Sequence, residues 1–239
     1  MEHIITVGDI QINVIKKKIK NLHLSVHPPN GRVRIAAPEG MNDDAIRIFA
    51  VSNLPWIKKQ RMKFQNQERQ SIREYVSGES HYFQGNRYLL NVVYTKGKQR
   101  VEIRNRKYMD LYVRESSTKE QREKLMTEWY RKQLKMQIPP LIEKWEQIIG
   151  VKVNAWGVKL MKTKWGTCNP DAKRIWINLE LAKKSTRCLE YIIVHEMVHL
   201  LERHHNDKFI AYMDQFLPNW RSIKCELNEL IFESSKWSY

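Results

Sequence analysis

The sequence predicts an α+β protein. A β-rich N-terminal region with two helices occupies residues 1–115, and residues 116–239 hold a long helix, a small mixed sheet and a histidine-bearing helix. Three observations support this. Residues 3–37 alternate in steps of two, as strands do, and residues 117–149 switch to apolar steps of three and four, as helices do. Residues 194–209 then read VHEMVHLLERHHNDKF, with four histidines in an otherwise apolar helical pattern.

Taken in order, ITVGDIQINVI and LHLSVHPPNGRVRIAAP are strands, and PPNG at 28–31 is the turn of a hairpin or meander. Asn42, Asp43 and Asp44 open a helix through AIRIFAVSN, where acidic residues suit the positive N-terminal end. Pro55 fits the first turn of a second helix, WIKKQRMKFQNQERQ. Residues 77–115 return to short strands, with QGN and KGK as turns. From Ser117 a long helix repeats apolar positions through Leu134, Ile138, Leu141, Trp145 and Ile148. Pro139-Pro140 should break or kink it, and Gly150 ends it. Residues 151–169 and 174–181 are strand-like, and Ser185 or Thr186 caps the helix LEYIIVHEMVHLLER. Helices at about 206–216 and 219–233 close the chain, and no internal repeat is visible.

Composition narrows the function classes. A hydrophobic content of 42% is globular, and no run of eighteen apolar residues offers a membrane span. MEHIITVGDIQINVIKKK lacks the basic-then-apolar layout of a secretion signal. Three widely spaced cysteines argue against a disulfide framework, so a reducing, cytoplasmic location is expected. The net charge of +16 predicts weak, salt-sensitive, non-specific attraction to nucleic acid.

On a helix, residues four apart share a face, so His195 and His199 can grip one ion. Glu196, one position round, would reach a water on that ion without ligating it, which is the H-E-x-x-H arrangement of zinc hydrolases. Buried histidine and glutamate without partners are costly, and a metal supplies one. A catalytic zinc site needs a third protein ligand. His205 lies six residues beyond His199, the interval by which a longer zinc-protease pattern reaches its third histidine; that pattern's glycine is here Glu202. His204 is the rival, but Asn206-Asp207 after His205 is good chemistry for a turn and a new helix cap, which favours His205.

These stretches resemble the YgjP-like metal-dependent hydrolases, relatives of the SprT-type and WLM-type zinc metallopeptidases. The resemblance rests on MKTKWGTCN (161–169), IWINLELA (175–182), YIIVHEMVHLLERHHNDKF (191–209) and the LP-x-W at 217–220, with support from the Pro55-Trp56 helix and HYFQGNRYLL. It implies a zincin-like catalytic domain over 116–239, one zinc ion on His195, His199 and His205, and Glu196 as the base. Thr167 stands where that family commonly has serine, and His204 where asparagine is common.

The run from Lys162 to Cys168 falls where zincin folds place the sheet edge beside the cleft. Lys164, Trp165, Gly166 and Thr167 are therefore candidate substrate-binding residues, able to pair with an extended peptide. Gly166 would permit close backbone approach. Equally, Trp165 could be core and Gly166 a bulge; Cys168 near a zinc site could be an extra or inhibitory thiolate ligand, but one cysteine is weak evidence for it. Three functions follow in order. First stands a zinc metallopeptidase acting on peptides or proteins. Second is a metal-dependent nucleotide hydrolase (a nucleoside triphosphate pyrophosphatase), with Lys162, Lys164 and Arg174 on phosphate. Third is a nucleic-acid-binding module with a structural zinc, in which Glu196 would have no task. Tyr212 and Arg221 are candidates to steady a developing oxyanion.

Overall fold

The computed structural model describes residues 2–27, 31–65, 73–161 and 163–229. They form two compact units, one before residue 66 and one after residue 72. The α+β expectation holds, but the division expected at 115 moves to this earlier point.

In the first unit β1 (Glu2–Val7), β2 (Ile10–Lys17), β3 (His23–His27) and β4 (Arg32–Pro38) form a sheet of order β1-β2-β4-β3. β2 and β4 run parallel and the outer pairs antiparallel, so it is not a simple meander. The PPNG turn lies, apart from Gly31, outside the described residues. Alternate residues Ile10, Ile12 and Val14 point inward against Ile46 and Ala50 of α1 (Asp43–Ser52) and Ile57 of α2 (Leu54–Gln65). Asn42 caps α1, its side chain accepting from Ala45 N at 2.9 Å.

The second unit opens with β5 (Ser80–Phe83), β6 (Asn86–Tyr94), β7 (Arg100–Arg104) and β8 (Tyr108–Val113), order β5-β6-β8-β7. Its antiparallel, parallel, antiparallel pairing is the first sheet's pattern again. The chain thus repeats a topology that its sequence does not display. This sheet shares one core with α3 (Lys119–Ile149): Leu90, Met109 and Leu111 pack with Met126, Leu134 and Ile138. That common core, with Tyr130 Oη donating to Tyr82 O at 2.8 Å, is why no division falls at 115.

Thr118 and Gln121 form a reciprocal capping box at the start of α3, and Gly150 ends it at φ 76°. Pro139 and Pro140 do not end the helix. The carbonyls of Lys135 and Met136, which lose their donors, belong to exposed residues, where water can bond them. Buried Leu134, Ile138, Ile142 and Trp145 hold both halves to the core.

A small mixed sheet follows, of β9 (Ala155–Lys159), β10 (Gly166–Asn169) and β11 (Arg174–Asn178), order β10-β11-β9, leaving β10 at an edge. A 3-10 turn (Leu179–Lys183) leads to α4 (Thr186–Val198). α4 is buried on every side from Tyr191 to Val198, so it lies within the core rather than on the surface. Ser185 precedes α4 without capping it; its hydroxyl goes to Glu226 Oε1 at 2.5 Å. α5 (Asp207–Phe216) and α6 (Trp220–Glu229) complete the described chain. Among the described residues no helix is long and apolar enough to cross a membrane.

Candidate metal centre

Because α4 is central, the histidines near its end are desolvated. His195 is 3% exposed and Glu196 1%. α4 stops at Val198, and His199 follows still in right-handed helical backbone. The chain then reverses without the glycine of the longer zinc-protease pattern. Glu202 N bonds Val198 O at 2.9 Å, and the Glu202 carboxylate accepts from His204 N at 3.1 Å. Asn206 caps α5 by accepting from Phe209 N at 3.0 Å.

The reversal brings His205 back onto the helical pair. One nitrogen from each of His195, His199 and His205 lies within 4.8 Å of the others. The Nε2 atoms of His195 and His205 are 3.0 Å apart. Nitrogens bound to one tetrahedral ion would sit roughly 3.4 Å apart, so the set fits an ion after a slight opening. Exposed His204 is outside the cluster. Phe209, which the sequence reading did not single out, packs its ring against all three imidazoles at 4.7–4.9 Å.

Electrostatics suit ligation too. Burial holds His195 well below its usual 6.5, and His199, His205 and Lys224 push the same way. His199 and His205 are lowered by burial as well. All three rings are therefore neutral at pH 7, with a lone pair to give. The Glu202 carbonyl can only accept, so His199 Nδ1 donates to it at 3.1 Å, which frees Nε2 for a metal.

A cavity of about 380 Å³ opens beside the triad, lined by Lys164, the 166–171 stretch, Glu196, His199, Arg203 and His205. Glu196 sits hard against Gly166: a Cβ on Gly166 would meet Glu196 Oε1 at 2.6 Å. Gly166 pairs regularly with Ile177 and is not a bulge; the close approach it permits is to Glu196. Trp165, expected among the substrate-binding candidates, is fully buried in the core and does not line the cavity. Its burial corrects that expectation, whereas Lys164, Gly166 and Thr167 do line the cavity.

Other expectations separate in the same way. Cys168 lines the cavity but is not in the histidine cluster; burial, then the Glu196 carboxylate, pushes its thiol up to about 12. Arg221 is engaged by Asp214 and Tyr212 stacks on Phe216, and neither lines the cavity. Arg174 is exposed and also outside the cavity, while Lys162 lies outside the described residues. Arg203 and Lys224 are cations that the sequence reading missed. The one lines the cavity, and the other's charge reaches His195 and His205 from α6.

The family profile for the YgjP-like metallopeptidase domain matches residues 20–230, and the chain belongs to that family. A solved structure that it resembles is that of the metallopeptidase zymogen of Pyrococcus abyssi abylysin, with 17% identity and a TM-score of 0.35. That likeness covers 37% of this chain and 89% of the other. No curated protein matches the sequence.

Proposed function

We propose that this YgjP-like family member is a zinc-dependent metallopeptidase in which Glu196 is the general base. The observation that carries the reading is a buried carboxylate that adjoins three converging neutral histidines and packs against the edge strand β10. His195, His199 and His205 would hold the ion. A three-histidine set is an established zinc donor set that leaves a coordination position open. Bound there, zinc supplies Lewis acidity that polarises a carbonyl and acidifies water.

The chain's own residues supply the rest. Glu196 accepts a proton from the attacking water at a carboxylate oxygen and delivers it to the departing amine. β10, an edge strand of its sheet among the described residues, lines the cavity, so an extended peptide can run alongside it beside Glu196. The packed Phe209 and buried α4 hold the imidazoles in place while this happens.

Lys164 and Arg203 give nucleotide hydrolysis standing as a second reading, since both could meet a phosphate. It is the weaker one. Among the described residues no cluster of carboxylates stands ready to hold magnesium with a triphosphate.

The deciding experiment gives the metal-loaded protein an unfolded protein and, separately, nucleoside triphosphates, each beside Glu196→Gln. The variant keeps size and hydrogen bonding but cannot accept a proton at neutral pH. Protein hydrolysis should fall by roughly 10²–10⁴-fold with metal content and melting temperature unchanged. A variant that loses its metal or unfolds makes Glu196 structural. Turnover of nucleotides alone favours the second reading.

A further inference from the structure

The second sheet has two unlike faces. Val101, Met109, Leu111 and Val113 point into the core, so their neighbours on β7 and β8 point the other way. Those neighbours are Arg100, Glu102 and Arg104 on β7, and Tyr108, Asp110 and Tyr112 on β8. Register sets Arg100 opposite Tyr112 and Arg104 opposite Tyr108. Each guanidinium lies over the ring across from it, at 3.8 Å and 4.8 Å to the centroid.

Carboxylates hold these planes from the side. Arg100 bonds Glu102 at 2.7 Å, and Arg104 bonds both oxygens of Asp110 at 2.6 and 3.0 Å. Asp110 is itself buried and receives Asn91 Nδ2 at 2.8 Å. The guanidinium groups nonetheless stay open to solvent, with the arginine side chains 42% and 48% exposed. The two stacks are four residues apart on an edge strand, about 14 Å at the usual rise.

The turns at both ends of β7 carry exposed cations, Lys96 and Lys98 before it, Arg106 and Lys107 after it. From Arg87 to Arg114 the chain has eight Lys or Arg against Glu102 and Asp110, a net +6 of the whole chain's +16.

We propose that this face of β7 and β8 binds single-stranded nucleic acid. Charge alone would suit any polyanion. Guanidinium groups lying over tyrosine rings, each paired to a carboxylate, suit a partner with flat faces of its own. Unpaired bases offer such faces, whereas in a duplex they are taken up by neighbouring bases. The basic turns at either end of the strand then meet phosphates on both sides of the stacked bases. This surface uses no residue of the histidine site, so it stands whether or not the peptidase reading does.

Fluorescence anisotropy on the full chain tests it, with a labelled oligothymidine strand and a duplex of equal length, at low and high salt. The strand should bind about tenfold tighter than the duplex, and both should weaken with salt. Tyr112→Leu should lose roughly 5- to 100-fold for the strand while Tyr112→Phe keeps binding. Arg100→Gln, at an exposed position away from the core, should lose a similar amount even if the tyrosine variants misfold. Replacing Lys96 and Lys98 with alanine should weaken strand and duplex alike and flatten the salt dependence. Equal affinity for strand and duplex, no binding at low salt, or an Arg100→Gln variant as tight as the wild type overturns the proposal.

Discussion

Replacing Gly166 with alanine probes the most crowded contact at the histidine site. The added Cβ would stand 2.6 Å from Glu196 Oε1, 2.8 Å from its Cγ and 2.9 Å from its Cδ, where ordinary contact begins at 3.4 Å. The strand cannot easily retreat. β10 is bonded to β11 along its length, and the residue before it, Trp165, is fixed in the core. The carboxylate must therefore move, by roughly 0.8 Å. A misplacement of that order in a reacting group costs about 10²-fold in rate, equivalent to about 2.7 kcal/mol of barrier. Alanine adopts strand angles freely, so the cost to the fold is only overpacking, about 1–3 kcal/mol. The assay is the initial rate on an unfolded protein substrate, with metal content and melting temperature measured on the same preparations. The expected result is a rate reduced about a hundredfold, metal retained and a melting temperature a few degrees lower. Wild-type turnover would refute the reasoning. So would loss of metal together with activity, because Glu196 would then be supporting the ligands instead of serving the cavity.

Two other outcomes are expected. His205→Ala should purify with little or no bound zinc while His204→Ala keeps it, since only His205 joins the cluster; metal analysis in which the two behave the other way would exchange the ligand. Metal-free protein should lose stability between about pH 7 and pH 5. His81, pushed down to about 4 by burial, stays neutral when folded over this range, and burial holds the three site histidines below the 6.5 near which the unfolded chain takes up their protons. Each therefore binds its proton more readily unfolded, and stability falls as the pH falls. Thermal melts that rise towards pH 5 would contradict this.

The helical pair His195 and His199 was legible in the sequence because helix periodicity alone puts residues four apart on one face. His205 was legible because a polar turn signal, Asn206-Asp207, follows it directly. Gly150 and Asn42 likewise end and open helices through local chemistry. What depends on distant packing was not legible. The strands at 80–113 look like those at 3–37, and only the core they join decides their unit. Pro139-Pro140 carries a local breaking signal, which side chains buried on both sides of it override. Phe209 and Lys224 reach the histidines from separate helices, at distances that sequence spacing does not encode. The Arg–Tyr stacks arise from a cross-strand register that neither strand shows alone.

Trp165 and Gly166 are adjacent yet serve opposite needs, and Asn178 explains how. Asn178 is fully buried. Its Nδ2 donates to the carbonyls of Met161 and Lys164 at 2.9 and 2.7 Å, and its Oδ1 accepts from Glu180 N at 3.1 Å. Its own N–H donates to Trp165 O at 2.8 Å. One side chain therefore ties the segment leading into β10 to the start of the 3-10 turn that leads to α4. Trp165, locked below, supplies the apolar weight that keeps this segment down. Gly166 is then the first residue of β10 and must pass Glu196 with no side chain of its own. The distance between the sheet edge and the carboxylate is thus set by core packing and a saturated amide, both away from solvent. The side chains of Lys164, just before the strand, and Thr167, within it, line the cavity and take no part in this lock, so they can change with substrate without disturbing it. Such a division lets one fold keep its base in place while its specificity changes.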